Sequence, residues 1–114
     1  MKTKISLVLA FMFLGITSII AQEVKTETFK VYGNCGMCKS RIEKAANSVD
    51  GVSAAEWDEE TKMIEITYNP EKVKILDVKK AIVKVGHDTD ILFAKNDGYN
   101  ALPGCCKYER RSEK

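Results

Sequence analysis

The sequence has 114 residues, a length that suits one small domain. Its formal net charge is only +2, and no basic stripe with interleaved aromatic residues occurs, which argues against nucleic-acid binding. The sequence also has no Ser/His/Asp set, no carboxylate pair and no glycine-rich phosphate loop. We therefore expect a protein that is not an enzyme and that binds no nucleic acid.

The first 21 residues have the pattern of a secretory signal peptide. Lys2 and Lys4 form a basic start, residues 5–20 are almost wholly apolar, and Ala21 is a small residue at the predicted cleavage point. An uncleaved anchor is the alternative, although the run is short of the roughly 20 residues that span a bilayer. We expect export, to the periplasm in a two-membrane bacterium and otherwise to the medium, with no membrane insertion after cleavage. Cleavage would leave 16 basic and 16 acidic residues.

Apolar periodicity in the rest of the chain predicts six elements. We expect strands over 24–32, 52–57, 63–68 and 90–94 and helices over about 38–49 and 75–85. The order β-α-β-β-α-β predicts an α+β, ferredoxin-like fold, with a four-stranded antiparallel sheet and two helices on one face. We divide the chain into a signal peptide over 1–21, a domain over 22–95 and a cysteine-containing tail over 96–114. The tail is expected to be a loop followed by a loosely held, charged end.

Cys35 and Cys38 form a Cys-x-x-Cys motif where the first strand ends and a helix begins. A helix N-terminus favours thiolate over thiol, because its unpaired N–H groups carry partial positive charge. Lys39 and Arg41 are expected to act in the same direction. Two thiolates suit a soft ion that accepts low coordination, such as Cu(I) or Hg(II), whereas Zn(II) prefers four donors. We predict a metal site that transfers its ion by thiolate exchange.

Two other uses of these cysteines stay open. An exported protein can use Cys-x-x-Cys for thiol–disulfide exchange. A small secreted protein with four cysteines can also contain disulfides, although a bond within either close pair constrains the unfolded chain little. The metal site is the favoured hypothesis.

Beyond the motif, the chain resembles the heavy-metal-associated domain family. The resemblance covers about residues 29–94 and includes the segments Cys35-Gly36-Met37-Cys38, Val49-Asp50-Gly51-Val52 and Ile66-Thr67-Tyr68-Asn69-Pro70. The family includes small copper chaperones, a periplasmic mercury-binding protein and N-terminal modules of metal-pumping P-type ATPases. The resemblance implies a monomeric metal carrier whose partner is a metal-transporting membrane protein or another carrier. A metal-bridged dimer is the alternative.

The chain departs from the family in three places. Only Asn34 separates Gly33 from Cys35, so the loop is one residue shorter than usual and lacks the usual methionine. His87, the single histidine, replaces an aromatic residue after the second helix. It is a candidate third ligand or tuning group, or simply a loop histidine. The tail, with its adjacent cysteines, is additional to the family's domain.

Cys105 and Cys106 have three interpretations. They can fold back and complete a site with three or four thiolates, form a disulfide, or stay exposed as a separate metal-scavenging or intermolecular contact. If His87 or the tail joins the site, Zn(II) and Cd(II) become further candidates for the bound ion, because Zn(II) prefers four donors. A scavenger or sensor is then an alternative to a carrier.

Overall fold

The computed structural model describes residues 23–111. The predicted signal peptide lies outside this range. Within it, the elements are strand β1 (Lys25–Lys30), helix α1 (Gly36–Asn47), strands β2 (Val52–Trp57) and β3 (Met63–Tyr68), helix α2 (Ile75–Lys84), a short helix α3 (Asn96–Asn100) and a 3-10 turn (Gly104–Cys106). None of the helices in this part of the chain is both long and apolar enough to cross a membrane.

The sheet is antiparallel, with β3 between β1 and β2. Ile64 on β3 is paired with Phe29 on one side and with Trp57 on the other, and all three side chains are buried. They belong to one core with apolar residues of both helices, including Ile42 and Ile82. The period-two pattern that predicted these strands therefore marks the face that the helices cover.

The predicted fourth strand over 90–94 is not formed, so the sheet of the described residues has three strands. A single bridge joins Val31 to Thr89, and the chain then bends away. The reason is that side chains satisfy its backbone groups. Asp88 Oδ1 accepts the Ala94 N–H at 2.7 Å, and Thr89 Oγ1 accepts the Leu92 N–H at 3.0 Å. A segment whose polar groups are paired in this way does not need a ladder partner.

The tail is packed against the domain, which corrects the expectation of a loosely held end. Leu102, Cys106 and Tyr108 are buried and belong to the same core as the sheet and helices. The Tyr108 hydroxyl donates to the Gly86 carbonyl at 2.8 Å and accepts the Asp88 N–H at 2.9 Å. The tail is therefore a structural part of the fold up to the last described residue.

Candidate metal centre

The Cys-x-x-Cys motif lies at the N-terminus of α1, as the sequence predicts. Cys35 is the extended residue just before the helix, and Cys38 lies in its first turn. Gly33 allows the preceding loop to pass close to the core, because a Cβ there would lie 3.2 Å from atoms of Cys38, Ile42 and Trp57. The Asn34 N–H points at the buried Cys38 sulfur, 3.3 Å away. Close packing therefore fixes the position of this sulfur.

The Cys35 sulfur is the centre of a group of four sulfurs. It lies 3.5 Å from Cys38 Sγ, 3.2 Å from Cys105 Sγ and 3.5 Å from Cys106 Sγ. All four cysteines are free thiols, since a disulfide would bring two sulfurs to about 2.05 Å. The sulfurs of Cys35, Cys105 and Cys106 all lie within 4.8 Å of one another. The fold thus gathers thiols that are 70 positions apart in the sequence.

The electrostatics of the group favour one thiolate. Hydrogen bonding with the Cys105 thiol, aided by the Cys38 backbone N–H, lowers the pKa of Cys35 to about 6. The same contact raises the pKa of Cys105, and burial raises that of Cys106. Cys35 is therefore ionised at neutral pH, while Cys105 and Cys106 keep protons that a metal ion can displace.

One of the two expected cations reaches the sulfurs. Arg41 Nη1 lies 3.4 Å from Cys106 Sγ, so it faces a tail cysteine rather than the motif. Lys39 is directed elsewhere, since its Nζ lies 2.6 Å from Glu43 Oε2 and 2.9 Å from the Trp57 carbonyl oxygen. The expectation for Lys39 was wrong because a carboxylate one helical turn away offers it a nearer partner.

His87 is fully buried and lies outside the group of sulfurs that are close enough to share an ion. Its Nδ1 donates to the Tyr32 carbonyl at 2.8 Å, and its ring stacks on Tyr108 with centroids 5.5 Å apart. Burial lowers the pKa of His87, which favours the neutral ring, and Nε2 has no hydrogen-bond partner among the described residues. In this arrangement His87 joins the first loop to the tail.

Sequence reasoning missed the residues that hold the tail in place. Arg110 donates to Asp88 and to the Ala94 carbonyl, and Arg111 donates to carbonyls of the 89–92 segment. These arginines occur in a charged run that resembles a solvated end, and only their distant partners show their role. The exposed Met37 places its sulfur 3.6 Å from Cys105 Sγ, beside the group.

Residues 28–88 match the heavy-metal-associated domain. The chain is 40% identical over 55 residues to the copper chaperone CopZ of Staphylococcus aureus, a match that covers 48% of this chain and 81% of that protein.

Two solved structures have a similar fold. Oxidized MerP from Ralstonia metallidurans CH34 aligns with a TM-score of 0.57 and 28% identity, over 60% of this chain and 96% of that one. The N-terminal domain of a potential copper-translocating P-type ATPase from Bacillus subtilis, in its Cu(I)-loaded state, aligns with a TM-score of 0.56 and 29% identity. That alignment covers 59% of this chain and 85% of the ATPase domain. The chain belongs to the heavy-metal-associated domain family.

Proposed function

We propose that this protein is an exported carrier of a soft metal ion, Cu(I) in the first place, bound by Cys35 and Cys38. The observation that carries the proposal is the 3.5 Å separation of these two sulfurs at the N-terminus of α1. Cys35 is partly exposed and Cys38 is buried, so one ligand is accessible to a partner while the other is held by the fold. This asymmetry suits an ion that leaves by exchange.

Transfer follows from the chemistry of the ligands. A two-coordinate Cu(I) can accept a third thiolate from a partner before it releases one of its own. The number of thiolates bound to Cu(I) then changes from two to three and back to two, and the ion is never free in solution. The names of the relatives, a copper chaperone and a copper-translocating ATPase, support a metal-transporting membrane protein as the partner. Hg(II) is a second candidate cargo, because two thiolates also suit an ion that accepts this low coordination.

Replacement of the buried ligand tests this proposal. Cys38→Ser should lower Cu(I) affinity by at least tenfold, measured by competition with a chromophoric Cu(I) chelator under anaerobic conditions. Ser40→Ala, a change on an exposed position of the same helix, is the matched control and should keep the affinity of the unmodified protein. Full affinity in Cys38→Ser would show that the ligand assignment is wrong.

Export is the second part of the proposal and rests on residues 1–21. The N-terminal sequence of the protein recovered from the exported fraction should begin at Gln22. Recovery in the membrane fraction with residues 1–21 retained would instead support the uncleaved anchor.

A thiol–disulfide protein is the competing function, and the Cys35 pKa of about 6 favours it. The Cys35 thiolate would attack a partner's disulfide and release one partner thiolate. A neighbouring thiolate of this chain would then attack the Cys35 sulfur of the mixed disulfide and release the second partner thiolate. The partner is then reduced to two thiols and this chain is oxidised to a disulfide. Catalysed reduction of a model disulfide, together with failure to retain Cu(I), would favour this function over the carrier.

A further inference from the structure

We propose that Cys105 and Cys106 are ligands of the same ion as Cys35, so that the tail closes the metal site with a third and a fourth thiolate. The inference rests on the proposed function, because it assigns additional ligands to the same soft ion. Both tail cysteines lie beyond the residues that match the family domain, 28–88. The closed site is therefore an addition of this chain to the domain.

The sulfur positions fit one shared ion. A thiolate bonds a soft metal at about 2.3 Å, so three sulfurs around one ion lie about 4 Å apart. Here Cys35 Sγ is 3.2 Å from Cys105 Sγ and 3.5 Å from Cys106 Sγ, and all three lie within 4.8 Å of one another. Binding needs only a small outward movement of the sulfurs. Cys38 Sγ lies 3.5 Å from Cys35 Sγ but outside this group of three, so it becomes the fourth donor only if it moves closer to the tail sulfurs.

The tail holds its cysteines in this position from both sides. After the pair, the Tyr108 hydroxyl bonds to the Gly86 carbonyl and the Asp88 N–H, and the Arg110 guanidinium bonds to Asp88. Before the pair, Leu102 is buried in the core. Neither anchor involves a sulfur, so the thiols stay together without a metal. Such a site is preorganised, and little conformational entropy is lost when an ion binds.

Charge at the site fits several thiolates. Four thiolates and one Cu(I) carry a net charge of about −3, and the two buried members, Cys38 and Cys106, tolerate ionisation only beside cations or hydrogen-bond donors. Arg41 Nη1 lies 3.4 Å from the buried Cys106 sulfur, and the Asn34 N–H lies 3.3 Å from that of Cys38. Among residues 23–111, a cation thus reaches the sulfurs at a cysteine of the tail.

The closed site changes how the ion leaves. The position that an incoming partner thiolate would take beside Cys35 is occupied by Cys105, the exposed member of the tail pair. Transfer then requires that Cys105 leave the ion first. The extra donors also favour ions of higher coordination, so Cd(II) binds the same sulfurs in a four-thiolate geometry.

The test compares three forms of the full chain loaded with Cu(I): the unmodified protein, Cys105→Ser/Cys106→Ser and Cys35→Ser/Cys38→Ser. X-ray absorption at the copper edge counts the sulfur neighbours, and chelator competition measures the affinity. We expect three or more sulfurs in the unmodified protein. We expect two in Cys105→Ser/Cys106→Ser, with an affinity at least tenfold lower. Lys107→Gln is the control for a change in the tail that leaves the thiols intact.

The outcomes of this experiment distinguish failure of the tail-ligand proposal from failure of the carrier proposal. If the unmodified protein and Cys105→Ser/Cys106→Ser both give two sulfurs and equal affinity, the tail ligands are excluded and the carrier proposal stands. If Cys35→Ser/Cys38→Ser keeps full affinity, both proposals fail. Should the tail variant not fold, maleimide labelling of Cys105 in the unmodified protein decides the question. Cu(I) must protect this exposed thiol, and unchanged labelling overturns the inference.

Discussion

The guanidinium of Arg110 makes two hydrogen bonds to the buried carboxylate of Asp88, with Nη2 2.8 Å from Oδ1 and Nε 3.1 Å from Oδ2. Asp88 also accepts the Ala94 N–H, so one side chain joins the tail to the segment after α2. A carboxylate in such a place is stable only while its donors remain. The conformation of the tail therefore depends on this pair.

Arg110→Gln is expected to destabilise the protein by about 2 kcal/mol or more, because the buried Asp88 carboxylate loses its charged donor. Urea denaturation followed by circular dichroism measures the change. Lys107→Gln removes the same charge from an exposed tail position, where the ammonium only faces the Tyr99 ring at 5.8 Å, and should change stability by less than about 1 kcal/mol. Equal effects of the two variants would show that the pair does not anchor the tail.

Gly86→Ala is expected to lower stability by about 1–3 kcal/mol. Gly86 has φ +103°, and a Cβ there would lie 2.7 Å from the Gly98 carbonyl oxygen, so alanine is strained and also forces helix α3 away. Gly104→Ala is the matched control, since a Cβ at Gly104 meets nothing within 4 Å. The melting temperatures of the two variants, measured by thermal unfolding, give the comparison. If Gly86→Ala unfolds at the same temperature as Gly104→Ala, the close packing of the tail is contradicted.

Alkylation of Cys35 in the reduced, metal-free protein is expected to follow a pH midpoint of about 6. The thiolate is the reactive form, so the rate should rise from pH 5 to pH 7 and then level off. Cys105→Ala should move the midpoint upward, because the hydrogen bond with Cys105 is the largest cause of the lowered pKa. Mass spectrometry of iodoacetamide-treated samples measures it. A midpoint near the ordinary thiol value of about 8.5 would refute this picture.

The part of the protein's stability that depends on His87 is expected to be lost as the pH drops below about 6.5, the ordinary pKa of histidine. Burial lowers the pKa of His87 in the folded state, so the unfolded chain binds the proton more readily and is stabilised relative to the folded state as the pH falls. Denaturation midpoints at pH 7.5 and 5.5 measure the effect. His87→Phe should reduce the difference, leaving the part due to Cys35. If His87→Phe shows the same difference between the midpoints at pH 7.5 and 5.5 as the unmodified protein, His87 does not contribute to the pH dependence of stability.

Much of the fold follows from local patterns. The strands over 52–57 and 63–68 and the two longer helices were predictable, because Ile64, Ile66 and Tyr68 alternate and Ile42 and Ala46 recur at helical spacing. The spacing of Cys35 and Cys38 likewise located the candidate site. These features depend only on near neighbours in the chain.

The features that the sequence did not predict depend on contacts between residues that are far apart in the chain. Residues 90–94 have strand-like composition, but their backbone polar groups form hydrogen bonds with the side chains of Asp88, Arg110 and Arg111. Tyr108 lies in a charged run, and its burial follows from contacts with residues 86–88 and Tyr99. No local periodicity encodes such pairings, so the sequence left the position of Cys105 and Cys106 open.

Mass spectrometry under non-denaturing conditions, with Cu(I) added to the reduced protein and each cysteine then assessed by alkylation, tests the central claim most directly. We predict one retained Cu(I) per chain, with Cys35 and Cys38 both protected from the reagent. Loss of the ion during the measurement, with both cysteines alkylated as fast as in the metal-free protein, would contradict a metal carrier.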